Sequence, residues 1–151
     1  IFSVRVAGNV IGTKSLGSLE YAVGVAGVKL VMVLGHTRCG AVTSTLRLVT
    51  SGQDAKSVTG CQHLQAIVDE IAPSITESPA RSLDELSEEE FDNLVEQVAS
   101  RNVFHTIDQI IARSEVIRNA VAEGRVKVVG ALYDVRTGVI EIFDDNGPQD
   151  R

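Results

Sequence analysis

The stretch Val28-Lys29-Leu30-Val31-Met32-Val33-Leu34-Gly35-His36-Thr37-Arg38-Cys39-Gly40 constrains the chain more than any other. Its first half is short, apolar and rich in β-branched residues, which predicts a strand over Val28–Leu34 buried on both faces. Gly35 allows a sharp turn, and the spacing beyond it predicts a helix over Ala41–Val49 that starts near Cys39. His36 and Cys39 then stand past the carboxyl end of a strand, where open α/β sheets bind ligands. Imidazole and thiolate together make a zinc-type donor pair, and a helix N-terminus favours an anionic sulfur. The same His-x-x-Cys spacing also fits an ordinary turn with a buried cysteine.

On the N-terminal side, Ile1–Val6 has strand character and Ala7-Gly8-Asn9 reads as a turn. Leu16, Leu19, Tyr21, Ala22, Val23 and Ala26 recur at helical spacing, predicting a helix over Thr13–Ala26 capped by Ser15 or Ser18. Small residues at Gly17, Ala22, Gly24, Ala26 and Gly27 permit close packing against a sheet or another subunit. Tyr21 reads as a core or interface residue, and Glu20 is an anionic partner for Arg5 or Arg38. Arg38 either steers an anion or is a solvated surface residue.

After Cys39, Val42, Leu46 and Val49 fall on one helical face, and Gly52 ends the element. Leu64, Ile67, Val68 and Ile71 form a further apolar stripe. Cys61 and His63, two apart at its start, point to nearly opposite sides and make a poor chelate, so Cys61 is read as structural. Pro73 and Pro79 bracket a polar loop. Ser87-Glu88-Glu89-Glu90 has the pattern of a capping box, so its acids mark a helix start and not a catalytic carboxylate pair. Apolar spacing then runs to Arg113, either as one helix or as two broken near Ser100-Arg101-Asn102, with His105 a surface or packing residue. A short helix from Ser114 stops at Gly124. Val126–Leu132 and Val139–Phe143, joined across Asp134–Gly138, predict a hairpin at the sheet edge, followed by a polar tail from Asp144.

Alternating strands and helices predict an α/β domain with a mostly parallel sheet flanked by helices and an antiparallel edge hairpin. The length, 151 residues, suits a single domain with a sizeable core. A net charge of −6 and the lack of a basic stripe argue against a nucleic-acid partner. No apolar run approaches the roughly 20 residues that span a bilayer, so no membrane insertion is expected. Two cysteines, Cys39 and Cys61, are too few for a disulfide framework and fit a reduced, cytoplasmic setting.

Four motifs occur in order: Phe2-Ser3-Val4-Arg5-Val6-Ala7-Gly8-Asn9, Ser18-Leu19-Glu20-Tyr21-Ala22-Val23, Gly35-His36-Thr37-Arg38-Cys39-Gly40-Ala41-Val42, and Gly130-Ala131-Leu132-Tyr133-Asp134 with Thr137-Gly138-Val139. This succession resembles the β-class carbonic anhydrases at both ends of the chain, and more vaguely between about Thr50 and Asn102. The resemblance implies zinc bound by two cysteines and a histidine, with His36 and Cys39 as two of the three. It implies CO2 and bicarbonate as substrates, a zinc-bound hydroxide as attacking group, and the Gly40 N–H as a donor to substrate oxygen. Gly8 and Asn9 border the active site in such proteins, so they either line the pocket or form a simple exit from the strand. A homodimer or higher homo-oligomer is implied as well.

Family members carry the first cysteine upstream, in Cys-x-Asp-Ser-Arg, whose Asp and Arg also serve catalysis. That motif does not occur in these residues, so the chain resembles a domain that is N-terminally incomplete. A sheet without that segment is expected to expose an unpaired edge and apolar faces. The chain as it stands is expected to hold zinc poorly and to be inactive, and to hydrate CO2 once an upstream segment is present. A second reading is a non-catalytic regulatory or bicarbonate-sensing module attached to a sulfate-permease-type anion transporter. A third, a thiol enzyme with Cys39 as nucleophile, is disfavoured: the Cys-x5-Arg spacing of cysteine phosphatases would need arginine where Thr45 stands, and Arg47 comes two residues late.

Overall fold

Strand β1 (Leu30–His36) lies parallel to β2 (Lys127–Tyr133), from Leu30 opposite Lys127 to His36 opposite Tyr133. Strand β3 (Ile140–Ile142) returns antiparallel on the other side of β2, giving the order β1-β2-β3. The expected α/β class, with parallel pairing and an antiparallel edge hairpin, is therefore the observed one. The computed structural model describes residues 1–76 and 82–143. The loop expected between Pro73 and Pro79 lies partly, and the tail from Asp144 wholly, outside those residues.

Helices α1 (Thr13–Gly24), α2 (Gly40–Ser51), α3 (Ala55–Thr59), α4 (Gln65–Ile71), α5 (Glu88–Arg113) and α6 (Glu115–Ala122) complete the described elements, with single 3-10 turns at Ala7–Asn9, Ala72–Ser74 and Leu83–Glu85. Helix α5 is unbroken through Ser100-Arg101-Asn102. Its start is the expected capping box: Ser87 Oγ accepts from Glu90 N at 3.2 Å, and Glu90 Oε2 accepts from Ser87 N at 2.8 Å.

At 26 residues, α5 is long enough to join two apolar clusters. Its C-terminal half packs with Val31 and Val33 of β1, Leu16 and Val23 of α1, and Ile117 and Ala120 of α6. Its N-terminal half packs Val95, Val98 and Ala99 against Val42 and Leu46 of α2, Ile71 of α4, Cys39 and Leu132. Ile110, Ile117, Leu46 and Ile71 are at most 1% exposed, and each such side chain contributes about 1.5–3 kcal/mol.

Glycine sets how closely α5 can approach. A Cβ on Gly35 would lie 2.7 Å from Val103 Cγ2, and one on Gly130 would lie 2.8 Å from Val103 Cγ1. Gly35 is thus not the turn residue expected of it: it sits inside β1, and the turn falls on Arg38, whose φ is +55°.

Other local expectations are corrected. Strand β1 alternates, with Val31, Val33 and Gly35 buried while Leu30, Met32 and Leu34 are 51%, 40% and 42% exposed. It is buried on one face, because the helices that contact it cover only that side. The apolar face anticipated from the sequence is thus exposed, and among the described residues β1 pairs on one side alone, with β2. Ile1–Val6 is no strand, since no described strand lies beside it. Gly12, not Ser15 or Ser18, is the N-cap of α1; Ser18 Oγ donates instead to Lys14 O. On α2 it is Leu48 that is buried, while Val49 is 43% exposed. Of the small residues in α1, Ala22 is buried, Gly24 approaches Val116 of α6, and Gly17 faces open space.

Candidate metal centre

Cys39 is the N-cap of α2, at the helix start expected of it, whereas His36 is the last residue of β1 itself and not a loop residue beyond the strand. The His36 ring is exposed, and its Nδ1 lies 2.9 Å from the Thr37 carbonyl oxygen. A carbonyl only accepts, so Nδ1 carries the proton and the Nε2 lone pair is left for a metal. Cys39 is 4% exposed among Val42, Leu46, Val95 and Leu132. Gly40 opens α2, where first-turn amides have no intrahelical partner and suit an oxygen ligand.

The loop between the two donors is tied on both sides. Thr37 N donates to Tyr133 O at 3.0 Å, and Thr37 Oγ1 accepts from Val135 N at 3.2 Å, joining it to the turn after β2. Arg38 reaches the other way, donating from Nε and Nη2 to Asp92 Oδ2 on α5 at 3.0 and 2.7 Å. It is neither an unpaired anion-steering group nor a merely solvated residue. Glu20, expected to pair with Arg5 or Arg38, accepts instead from Ser114 Oγ at 2.7 Å.

Gly8 and Asn9 come to the same end of the domain. Gly8 is buried with φ +65°, and a Cβ there would meet Ile71 Cδ1 at 2.5 Å and Ala41 Cβ, in the first turn of α2, at 3.3 Å. Its carbonyl accepts from Asn102 Nδ2 at 2.7 Å, and Asn102 Oδ1 accepts from Ser74 Oγ at 3.3 Å. Asn9 donates from Nδ2 to Thr106 Oγ1 at 3.3 Å, while its carbonyl accepts from the same hydroxyl at 3.2 Å. These bonds fasten the Ala7–Asn9 turn to α5 beside α2.

Asn102 and Thr106 were not singled out from sequence. The signal was there: both are polar residues on the α5 stripe otherwise occupied by Val95, Val98, Ala99, Val103 and Ile110. Asp92 left no such signal, because its partner lies 54 positions away.

Cys61 is exposed after α3, against the Thr59 carbonyl, so it is not a core residue. His63 is exposed and His105 half-buried. Among the described residues, no group of three or more His, Cys, Asp or Glu side chains is placed to hold a metal ion. His36 and Cys39 therefore suit zinc in kind but fall short in number, since catalytic zinc takes three protein ligands.

A parallel pair extended by an antiparallel edge, with a His-x-x-Cys loop at the strand's carboxyl end, is the arrangement of a carbonic anhydrase domain: the family model described as carbonic anhydrase matches residues 1–140. The chain is 34% identical over 147 residues to carbonic anhydrase 2 of Mycobacterium tuberculosis, covering 97% of this chain and 64% of that protein. It is 34% identical over 142 residues to the carbonic anhydrase of Mycolicibacterium smegmatis, covering 94% and 62%. The chain thus spans under two thirds of the length of these relatives. Among solved structures, the β-carbonic anhydrase CafA of Aspergillus fumigatus superposes with a TM-score of 0.76 at 27% identity, over 97% of this chain and 65% of that one. A tetrameric β-carbonic anhydrase of Sordaria macrospora gives 0.74 at 24% identity, over 98% and 70%, a likeness of fold. The chain belongs to the β-class carbonic anhydrase family.

Proposed function

We propose that these residues form the part of a β-carbonic anhydrase that supplies His36 and Cys39 to a zinc site. The reaction is the reversible hydration of CO2 to bicarbonate, and a further thiolate from outside the 151 residues completes the ligand set. The observation that carries this reading is the His36 Nδ1 contact with the Thr37 carbonyl, which leaves Nε2 as a metal donor on the loop that ends at Cys39. Gly40 contributes a first-turn amide toward substrate oxygen, and Gly8 and Asn9 border the site through their packing on α2 and α5. Cys39 serves as a ligand rather than a nucleophile, in keeping with its burial among apolar side chains.

Assembly as a homodimer or higher homo-oligomer is supported by the exposed Leu30, Met32 and Leu34 on β1, together with Tyr21 and Val25 on and after α1. Two free cysteines fit a cytoplasmic setting. Among the described residues, no helix is long and apolar enough to cross a membrane.

Stopped-flow CO2 hydration, paired with zinc content, tests the proposal on the 151-residue chain and on the chain extended upstream by its natural sequence. The chain alone is expected at the buffer rate with little zinc, and the extended protein at a rate well above it. Stoichiometric zinc and a clear rate in the chain alone would show that residues within it complete the site. Zinc without activity in the extended protein would favour the non-catalytic bicarbonate-binding module.

A further inference from the structure

Arg38, between the two donors, holds φ +55°, a left-handed conformation that a non-glycine residue keeps only when its surroundings impose it. Thr37 accounts for one side of that constraint, through Tyr133 and Val135. On the other side, two Arg38 nitrogens converge on a single oxygen of Asp92, with Glu88 Oε1 3.9 Å from Nη2. The next residue back on α5, Phe91, carries the Arg47 guanidinium 4.9 Å above its ring. Consecutive α5 residues thus grip one arginine before Cys39 and one after it.

We infer that Asp92 is a positioning residue: through Arg38 it holds the left-handed turn that fixes the His36–Cys39 loop and keeps Cys39 packed away from solvent. The inference rests on the reading of His36 and Cys39 as the ligand pair. Its physical basis is local. With side-chain exposures of 46% and 34%, Arg38 and Asp92 form a pair of modest worth to global stability. Its lever is a turn that relaxes to φ below zero once the guanidinium is released. Loss of Asp92 should therefore open this loop and leave the rest of the fold in place.

Thiol labelling under native conditions, with a metal chelator present, reads this directly. Cys61 is exposed and Cys39 buried, so the parent chain carries its own fast-reacting internal standard. Asp92→Ala is expected to raise the Cys39 rate about fivefold, the effect of losing a pair at the upper end of the surface range. The Cys61 rate should not change. Asp92→Glu, which restores the carboxylate, should recover much of the protection. Ser114→Ala, which breaks the Ser114–Glu20 bond far from the loop, serves as a control that lowers stability without touching Arg38.

An unchanged Cys39 rate in Asp92→Ala would overturn the inference. So would an equal rise in Ser114→Ala at matched loss of thermal stability, because the effect would then be global. The readout uses no metal and no activity, so failure of the Asp92 inference appears as an unchanged labelling rate and failure of the zinc reading as absent zinc binding, and the two are told apart.

Discussion

Asn102 Nδ2 donates to the Gly8 carbonyl oxygen at 2.7 Å, across 94 positions of sequence, in a place where Asn102 is wholly buried. The same amide accepts from Ser74 Oγ, so one side chain satisfies two buried partners from different segments. It explains why a turn that follows a segment outside the described sheet sits firmly against α2 and α5.

Replacing Asn102 with alanine leaves the Gly8 carbonyl and the Ser74 hydroxyl without their partner. Each unsatisfied buried group costs about 1–3 kcal/mol, so with two of them the variant should lose about 2–6 kcal/mol in urea denaturation. A loss within about 0.5 kcal/mol, the range of ordinary surface substitutions, would mean that water or a rearranged turn replaces the amide.

Gly35→Ala should be destabilising by about 1–3 kcal/mol, since its Cβ would stand 2.7 Å from Val103 Cγ2. In a Val103→Ala background the same substitution should cost clearly less, because the obstructing methyl is gone. Equal costs in the two backgrounds would show that Gly35 is required for some reason other than its approach to α5.

The sequence disclosed those parts of the fold that rest on local periodicity. Ser87 and Glu90 announce the start of α5, and Gly52 and Gly124 the ends of α2 and α6, because caps are made by neighbours in sequence. His36 and Cys39 were legible because three residues separate them after an apolar run. What escaped depends on distant partners. Gly35 looks like a turn until Val103 is placed beside it, and Arg38 looks free until Asp92 arrives from α5. Strand character at Ile1–Val6 remained a propensity, because a strand requires a neighbour and none of the described strands lies there.

Asp134 Oδ1 accepts from Arg136 N at 2.8 Å and Thr137 N at 3.4 Å in the turn between β2 and β3. The Arg136 amide is the main reason its carboxyl lies below the ordinary value of 3.8. With the folded-state value depressed, the contribution to stability is present above the unfolded value and is lost as pH falls through the folded one. Carboxyl-carbon NMR should show Asp134 titrating below an unstructured aspartate, and a midpoint at or above 3.8 would contradict this turn geometry.

The assignment of His36 and Cys39 as the chain's zinc donors is tested most directly by competitive zinc titration of the 151-residue chain and its single variants. The parent should bind zinc measurably but weakly, as a two-donor site does, and His36→Ala and Cys39→Ala should each abolish that binding. Cys61→Ala should leave it unchanged, because Cys61 stands exposed beyond α3. Zinc binding that survives loss of His36 or Cys39, or that disappears with Cys61, would contradict the assignment.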